Sequence, residues 1–257
     1  MDYVRYLVED RIAFVTLNRP LKRNALNGHF VSELTTVFSD AEADSNVKVI
    51  VLNAEGEAFC AGADLEYLES IRKNSFEENL QDSKNLMVLF EGIYTSKKVT
   101  IACVEGHAVA GGCGLATVCD FVFTTPASLF GYTEVKIGFV PALVSVFLVK
   151  RIGEGRCREL LLSGNLIAAE TALRIGLVTF MEEAELIRQK VLTFARDISK
   201  NTSGNAVFVT KKLISEVQKL DLHSGLELAA VRNAEVRESN DFKKGLNAFL
   251  NKEKPLW

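Results

Sequence analysis

Two turns of small residues and one carboxylate carry most of this chain's chemical potential. The first turn in sequence is Phe59-Cys60-Ala61-Gly62-Ala63-Asp64-Leu65, and the second is Gly106-His107-Ala108-Val109-Ala110-Gly111-Gly112-Cys113-Gly114-Leu115. The carboxylate is Glu134, within Phe130-Gly131-Tyr132-Thr133-Glu134-Val135. A turn that runs into a helix leaves its first N–H groups without intrahelical acceptors, and the helix dipole adds positive potential there. Ala63 is the N–H donor the first turn would offer, and the helix start at Gly111–Leu115 offers free N–H groups from the second. Donors from two loops, converging on one oxygen, form an oxyanion hole. Apolar neighbours disfavour the charged form of Glu134 and push its pKa toward values useful to a general acid or base. Each residue also has a plainer role open to it. Glycines let a helix pack closely on a strand, Asp64 suits a helix N-cap, and most glutamates sit on the surface.

Other chemistries lack their residues. A dinucleotide fingerprint started at Gly112 meets Gly114 but then finds Thr117 where glycine is required. No Lys-Ser/Thr pair completes a phosphate loop, and neither G-x-S-x-G nor H-E-x-x-H occurs. His29, His107 and His223 fall in no metal-ligand spacing, so no metal is expected. Of the three, His107 is best placed to approach a ligand. Cys113 at a helix start could be a stabilised thiolate or a buried small hydrophobe. Tyr67, Leu68, Ile71, Phe90 and Tyr132 could line a pocket or simply pack in the core.

The elements that must position these groups follow an α/β pattern. Strands are expected at Val4 to Val8, Ile12 to Leu17, Val47 to Leu52, Val99 to Glu105 and Phe121 to Phe123. A helix opens after Asn27-Gly28, two more cover Asp64 to Arg72 and Phe76 to Tyr94, and a short one runs from the glycine turn through Leu115 to Cys119. Beyond Pro141 the pattern is helical: Leu143 to Arg151, Gly155 to Leu162, Ala168 to Ile175, Glu185 to Ser199, Ala206 to Leu220, Gly225 to Arg237 and Phe242 to Asn251. The reading is a core over residues 1–200 and a helical region over 201–257, with no strict internal repeat.

Composition narrows the partners. The 257 residues are 48% hydrophobic with a formal net charge of −3, enough for one large core and no argument for nucleic acid. Five cysteines without a C-x-x-C fit a reducing compartment. The N-terminal residues enter a strand pattern at once, and no apolar run has membrane-spanning length, so a cytoplasmic, non-membrane protein is expected.

The motifs together resemble the crotonase superfamily of enoyl-CoA hydratases and isomerases. The likeness spans Asn18-Arg19-Pro20…Asn24-Ala25-Leu26-Asn27, Ala58 to Leu65, Ala110 to Leu115…Cys119-Asp120 and Phe130-Gly131…Glu134-Val135…Gly138…Pro141. It continues through Leu162-Ser163-Gly164 and Gly176-Leu177-Val178 to Asp241-Phe242…Gly245-Leu246…Phe249-Leu250…Lys254-Pro255. The resemblance implies a spiral of strand-strand-helix units with a C-terminal helical oligomerisation region, assembled as a homotrimer or a dimer of trimers. It implies an acyl-CoA substrate, as in fatty acid metabolism, and no cofactor, coenzyme A being part of the substrate. The thioester oxygen would be held by the N–H groups of Ala63 and Gly111. Coenzyme A would lie against Lys22, Arg23, Ala25, Leu26, Ala61, Asp64 and Leu65. Glu66 stands where some hydratases carry lysine, and Phe249 and Lys252 could reach a neighbouring subunit's nucleotide.

Two-acid hydratases have glutamates at the positions of Gly114 and Glu134. Here Glu134 alone remains, with Glu105 and Glu154 as candidates to fill the space beside Gly114. The same glycine, with the run Thr133-Glu134-Val135…Gly138…Pro141-Ala142, resembles bacterial methylglutaconyl-CoA hydratase-like proteins. The expected reaction is hydration of a 2-enoyl-CoA, methylglutaconyl-CoA-like or short-chain, with Glu134 as single acid and base. Δ3,Δ2-enoyl-CoA isomerisation is the alternative, ahead of a decarboxylase or a non-catalytic CoA-binding member. Phe139, Val140 and the Ala142 to Val146 stretch replace a more glycine-rich run and point to a differently shaped pocket.

Overall fold

A computed structural model describes all of residues 1–257. Strands β1 (Val4–Glu9) and β2 (Ile12–Leu17) form an antiparallel hairpin. Helix α1 (Gly28–Ala43) follows, its free N-terminus capped by Asn27, whose side chain accepts from the Phe30 N–H. Three strand-strand-helix units then succeed one another. The first is β3 (Val49–Ala54), β4 (Ala58–Cys60) and helices α2 (Leu65–Ile71) and α3 (Phe76–Thr95). The second is β5 (Val99–Val104), β6 (His107–Val109) and α4 (Gly111–Thr117). The third is β7 (Phe121–Thr124), β8 (Leu129–Gly131), a 3-10 turn over Glu134–Ile137 and α5 (Ala142–Ser163). Short β9 (Ile167–Ala168), α6 (Ala169–Arg174) and β10 (Phe180–Met181) lead to helices α7 (Ile187–Asn201), α8 (Gly204–Val217), α9 (Leu222–Glu238) and α10 (Asn240–Leu250).

Each unit sends its first strand to one sheet and its second to another. The larger sheet has the order β1-β2-β3-β5-β7-β10, parallel apart from the β1–β2 hairpin. The smaller has the order β4-β6-β8-β9, parallel over its first three strands. Strands buried on both faces need apolar residues throughout, and every residue of β5, Val-Thr-Ile-Ala-Cys-Val, is buried. The main core joins Val15, Leu34, Leu52, Phe90, Leu115 and Leu148 between the sheets and α1, α3, α4 and α5. A second cluster packs Ile12, Val49, Ile101 and Phe123 of the large sheet on Ile187, Val191 and Ala195 of α7.

The expected α/β order holds, with displaced ends and missing pieces. The strand expected at Val47 to Leu52 runs two residues later, after Lys48, whose partly buried side chain donates to the carbonyls of Ser199 and Thr202, both 2.9 Å away. The helix expected through Leu115 to Cys119 occupies Gly111–Thr117. The two helices expected on either side of Gly153 are one kinked helix, with Gly153 at φ 75°. Helix α7 starts at Ile187, not Glu185. Strands β4, β6 and β8 escaped the sequence reading, being three residues each. All five cysteines are buried and unpaired. No helix is long and apolar enough to cross a membrane.

Candidate active site

The three adjacent parallel strands of the smaller sheet deliver one candidate group each. Just past the end of β4 lies Ala63, past β6 lies Gly111, and past β8 lies Glu134. The strands are registered Cys60↔Ala108 and Ala108↔Phe130, so the three groups emerge side by side. The small residues are what let the loops touch. Gly62 has φ 91°, and a Cβ there would stand 2.9 Å from the Ala110 Cβ and 3.1 Å from the Val109 carbonyl oxygen. A Cβ on Gly112 would lie 2.6 Å from that of Cys60. Ala110 pays in backbone strain, with φ 51° and ψ −124°, and its N–H donates to the Gly131 carbonyl at 2.8 Å. That turn makes Gly111 the first residue of α4, where an N–H has no intrahelical acceptor. Ala63 bridges to Leu26 through the bonds Leu26 N–H to Gly62 O, 2.7 Å, and Asp64 N–H to Leu26 O, 2.8 Å. Its own N–H, on an exposed residue, donates to no protein acceptor.

Both donors and Glu134 line one cavity of about 360 Å³. Glu134 opens its 3-10 turn and is half-buried. Its Oε2 is buried without a hydrogen-bond partner. Burial raises the carboxyl's pKa above the usual glutamate value, opposed in part by its own backbone N–H. A desolvated carboxylate with one unpartnered oxygen, in the same cavity as two unpartnered N–H groups, can take a proton from a carbon or a water while an anion forms on the held oxygen.

The opposite wall is apolar. A Cβ on Gly114 would stand 2.6 Å from Val144 Cγ1 of α5 and 2.9 Å from Phe90 Cζ of α3. The space beside Gly114 is therefore taken by those side chains. The expected substitutes are elsewhere: Glu105 pairs with Arg188 at 2.9 Å and Glu154 with Arg158 at 2.8 Å, and neither lines the cavity.

The cavity gathers Leu26, Ala61, Leu65, Tyr67, Leu68, Ile71 and Phe90 among the expected residues, together with Phe139 to Val144. Tyr132 is fully buried in the core, its hydroxyl 2.6 Å from that of Thr117. Lys22, Arg23, Ala25 and Asp64 do not line the cavity. Lys22 and Arg23 are exposed in the turn after β2, and Lys22 Nζ lies 2.5 Å from Glu66 Oε1, which offsets its charge. Ala25 is buried. Asp64 is buried too; it caps α2 by accepting from the Glu66 N–H at 2.9 Å and meets Arg19 Nη1 at 2.6 Å. Burial alone would raise its pKa, but the Arg19 bond and the Glu66 N–H bring it below the usual aspartate value. Its N-cap reading is thus the one the geometry shows. Burial pushes the Cys113 thiol up to about 11, so it packs as a hydrophobe. His107 is exposed, its Nδ1 accepting from the Leu129 N–H at 3.2 Å, away from the cavity. Asp2, His29 and Glu33 do cluster at the surface, but the Glu33 oxygens already accept from the N–H groups of Asp2, Tyr3 and Val4.

One cavity group was missed in the sequence. Asp82 of α3 accepts a hydrogen bond from the Tyr67 hydroxyl, and both line the cavity. The signal was present: Asp82, Leu86 and Phe90 recur every four residues, putting a carboxylate on the cavity face of the helix. A larger cavity of about 630 Å³, between β7, α5 and α8, contains none of the donors. Its Arg151 is committed to the carbonyls of Thr117, Cys119 and Leu177, and its Lys211 to Asp120 at 2.7 Å.

The model for the family described as enoyl-CoA hydratase/isomerase matches residues 8–257. The chain belongs to the enoyl-CoA hydratase/isomerase family. It is 43% identical over 244 residues, 95% of this chain and 96% of the relative, to a "Putative enoyl-CoA hydratase" of Thermus thermophilus. A short-chain-enoyl-CoA hydratase of Clostridium acetobutylicum is 30% identical, with 96% of this chain and 94% of that protein aligned. Among solved structures, a "putative enoyl CoA hydratase/isomerase (crotonase)" from Legionella pneumophila superposes with a TM-score of 0.92 at 35% identity, covering 99% of this chain and 98% of that one. The strand-strand-helix spiral and membership of the crotonase superfamily hold as the residues implied, and the protein is an enzyme of the hydratase/isomerase family.

Proposed function

We propose that the chain hydrates a 2-enoyl-CoA, with Glu134 as the single acid and base. The observation that carries this reading is the desolvated, unpartnered Glu134 carboxylate in the same cavity as the free N–H groups of Ala63 and Gly111. The thioester oxygen would accept from both N–H groups. Glu134 would take a proton from water as the water oxygen bonds to C3 and the C2=C3 electrons move onto the held oxygen as an enolate. The protonated Glu134 would then return its proton to C2, giving the 3-hydroxyacyl thioester and the starting carboxylate. The relatives named as enoyl-CoA hydratases in Thermus thermophilus and Clostridium acetobutylicum support a hydratase. Residues Leu26, Ala61 and Leu65 at the donor end of the cavity would face coenzyme A, which is part of the substrate. Lys22 and Arg23, in the exposed turn, would meet its phosphates. Assembly as a homotrimer or a dimer of trimers is supported by apolar residues that α9 and α10 present to solvent, among them Leu222 at 81% and Phe249 at 78% exposure.

Isomerisation of a 3-enoyl-CoA is the second reading, and the Gly114 wall favours it. One carboxylate can carry a proton from C2 to C4, and the packing of Phe90 and Val144 on that side offers no polar group to hold water. Purified protein with crotonyl-CoA decides between them. Hydration gives loss of enoyl absorbance with 3-hydroxybutyryl-CoA formed, whereas an inert crotonyl-CoA beside rapid conversion of 3-hexenoyl-CoA would replace hydration by isomerisation.

A further inference from the structure

The charges lining the cavity carry an inference about the acyl group, one that rests on the cavity being the acyl-CoA site. The lining contains two carboxylates, Glu134 and Asp82, and no lysine, arginine or histidine. Asp82 sits on α3, on the wall built from Leu86 and Phe90, and is only partly exposed. One of its oxygens accepts from the Tyr67 hydroxyl, and no protein donor is bonded to the other. Tyr67 of α2 lies over Gly28, its hydroxyl 3.5 Å from where a Cβ there would stand. The Asp82 charge is therefore fixed at the cavity wall without a neutralising cation. A second carboxylate brought in on an acyl chain would lose its water and meet two like charges in a site of reduced dielectric. An uncharged chain meets Leu68, Ile71, Leu86 and Phe90 at no such cost.

We propose that Asp82, held by Tyr67, is a specificity-determining residue that keeps acyl groups bearing a second carboxylate out of this cavity, so that the substrates are uncharged acyl thioesters. Of the two substrate types the sequence left open, this selects the short uncharged chain over a methylglutaconyl-like one. Sites that leave a buried charge unpaired discriminate strongly.

Binding of unreactive saturated thioesters tests this without requiring turnover. Hexanoyl-CoA and adipyl-CoA have equally long chains and differ in the terminal methyl or carboxylate. By calorimetry, hexanoyl-CoA is expected to bind at least about tenfold more tightly, a difference of roughly 1.4 kcal/mol. Asp82→Asn should reduce that preference severalfold by strengthening adipyl-CoA binding, while Tyr67→Phe, which keeps the charge, should leave a preference for hexanoyl-CoA. Circular dichroism checks that both variants fold. Adipyl-CoA binding as tightly as hexanoyl-CoA to the wild type, or a preference unchanged in folded Asp82→Asn, would overturn the inference alone. Failure of both thioesters to bind would overturn the acyl-CoA reading and this inference with it.

Discussion

Glu134 and the Phe90 and Val144 side chains packed over Gly114 line the same cavity and are built on opposite terms. At Glu134 a carboxyl oxygen is buried without a partner and its pKa is raised. At Gly114 there is no side chain, and Phe90 and Val144 reach within 2.9 Å of where its Cβ would be. One wall accepts an electrostatic cost, the other is packed as core. A protein interior tolerates a costly group only when its neighbours hold it in place, and here the 3-10 turn and Gly138 at φ 74° hold Glu134. The difference teaches that the absent second acid is not a vacancy that water or a nearby glutamate fills. On the proposed reading, the proton chemistry rests on one residue, Glu134.

The contrast breaks most visibly at Glu134. Glu134→Gln should lower kcat by about 10²- to 10⁴-fold, the usual worth of a positioned acid-base group; an undiminished rate would remove the catalytic assignment. The same change should raise the melting temperature at neutral pH. A carboxyl whose folded pKa lies above its unfolded value stabilises the fold below the unfolded pKa, and that stabilisation is lost as pH rises through the folded one. Glutamine cannot ionise and escapes the loss. A lower melting temperature for Glu134→Gln would show that the carboxylate is satisfied by contacts other than those described.

Next in size is the oxyanion side. Proline fits the first position of a helix because its missing N–H has no partner there. Gly111→Pro should remove one donor, at a cost of about 10²- to 10³-fold in kcat, with circular dichroism checking that the fold survives a proline after Ala110 at φ 51°. Retained activity with intact circular dichroism would exclude Gly111 as a donor. The smallest effect tests the packed wall. Gly114→Ala should destabilise by about 1–3 kcal/mol through overpacking. Combined with Val144→Ala, which clears the 2.6 Å approach, it should cost less than the sum of the two single changes. Strict additivity in denaturant melts would mean the wall yields freely.

The contrast also marks what the sequence could reveal. The helix following the glycine turn, the cap at Asp64 and the apolar company of Glu134 are each set by residues within a few positions along the chain, and local chemistry displays them. Strands β4, β6 and β8 are too short for a two-residue period to register, though their loops carry the site. The neighbours of Gly114 come from α3 and α5, so nothing near residue 114 announces them. Asp82 was legible only as a carboxylate on an apolar helix face, and its bond to Tyr67 of α2 needed the fold. Lys22 drew notice as a phosphate ligand, but its bond to Glu66 joins residues far apart in the chain.

The dependence of crotonyl-CoA hydration on pH, followed from about pH 4 to 9, tests the single-carboxylate account most directly. With Glu134 ionised to accept the water proton and returning that same proton to C2, kcat should rise through one apparent pKa above the usual glutamate value and then stay level. A bell-shaped profile with a second ionisation on the falling limb, surviving with that limb intact in residual Glu134→Gln activity, would contradict it by revealing another acid at work.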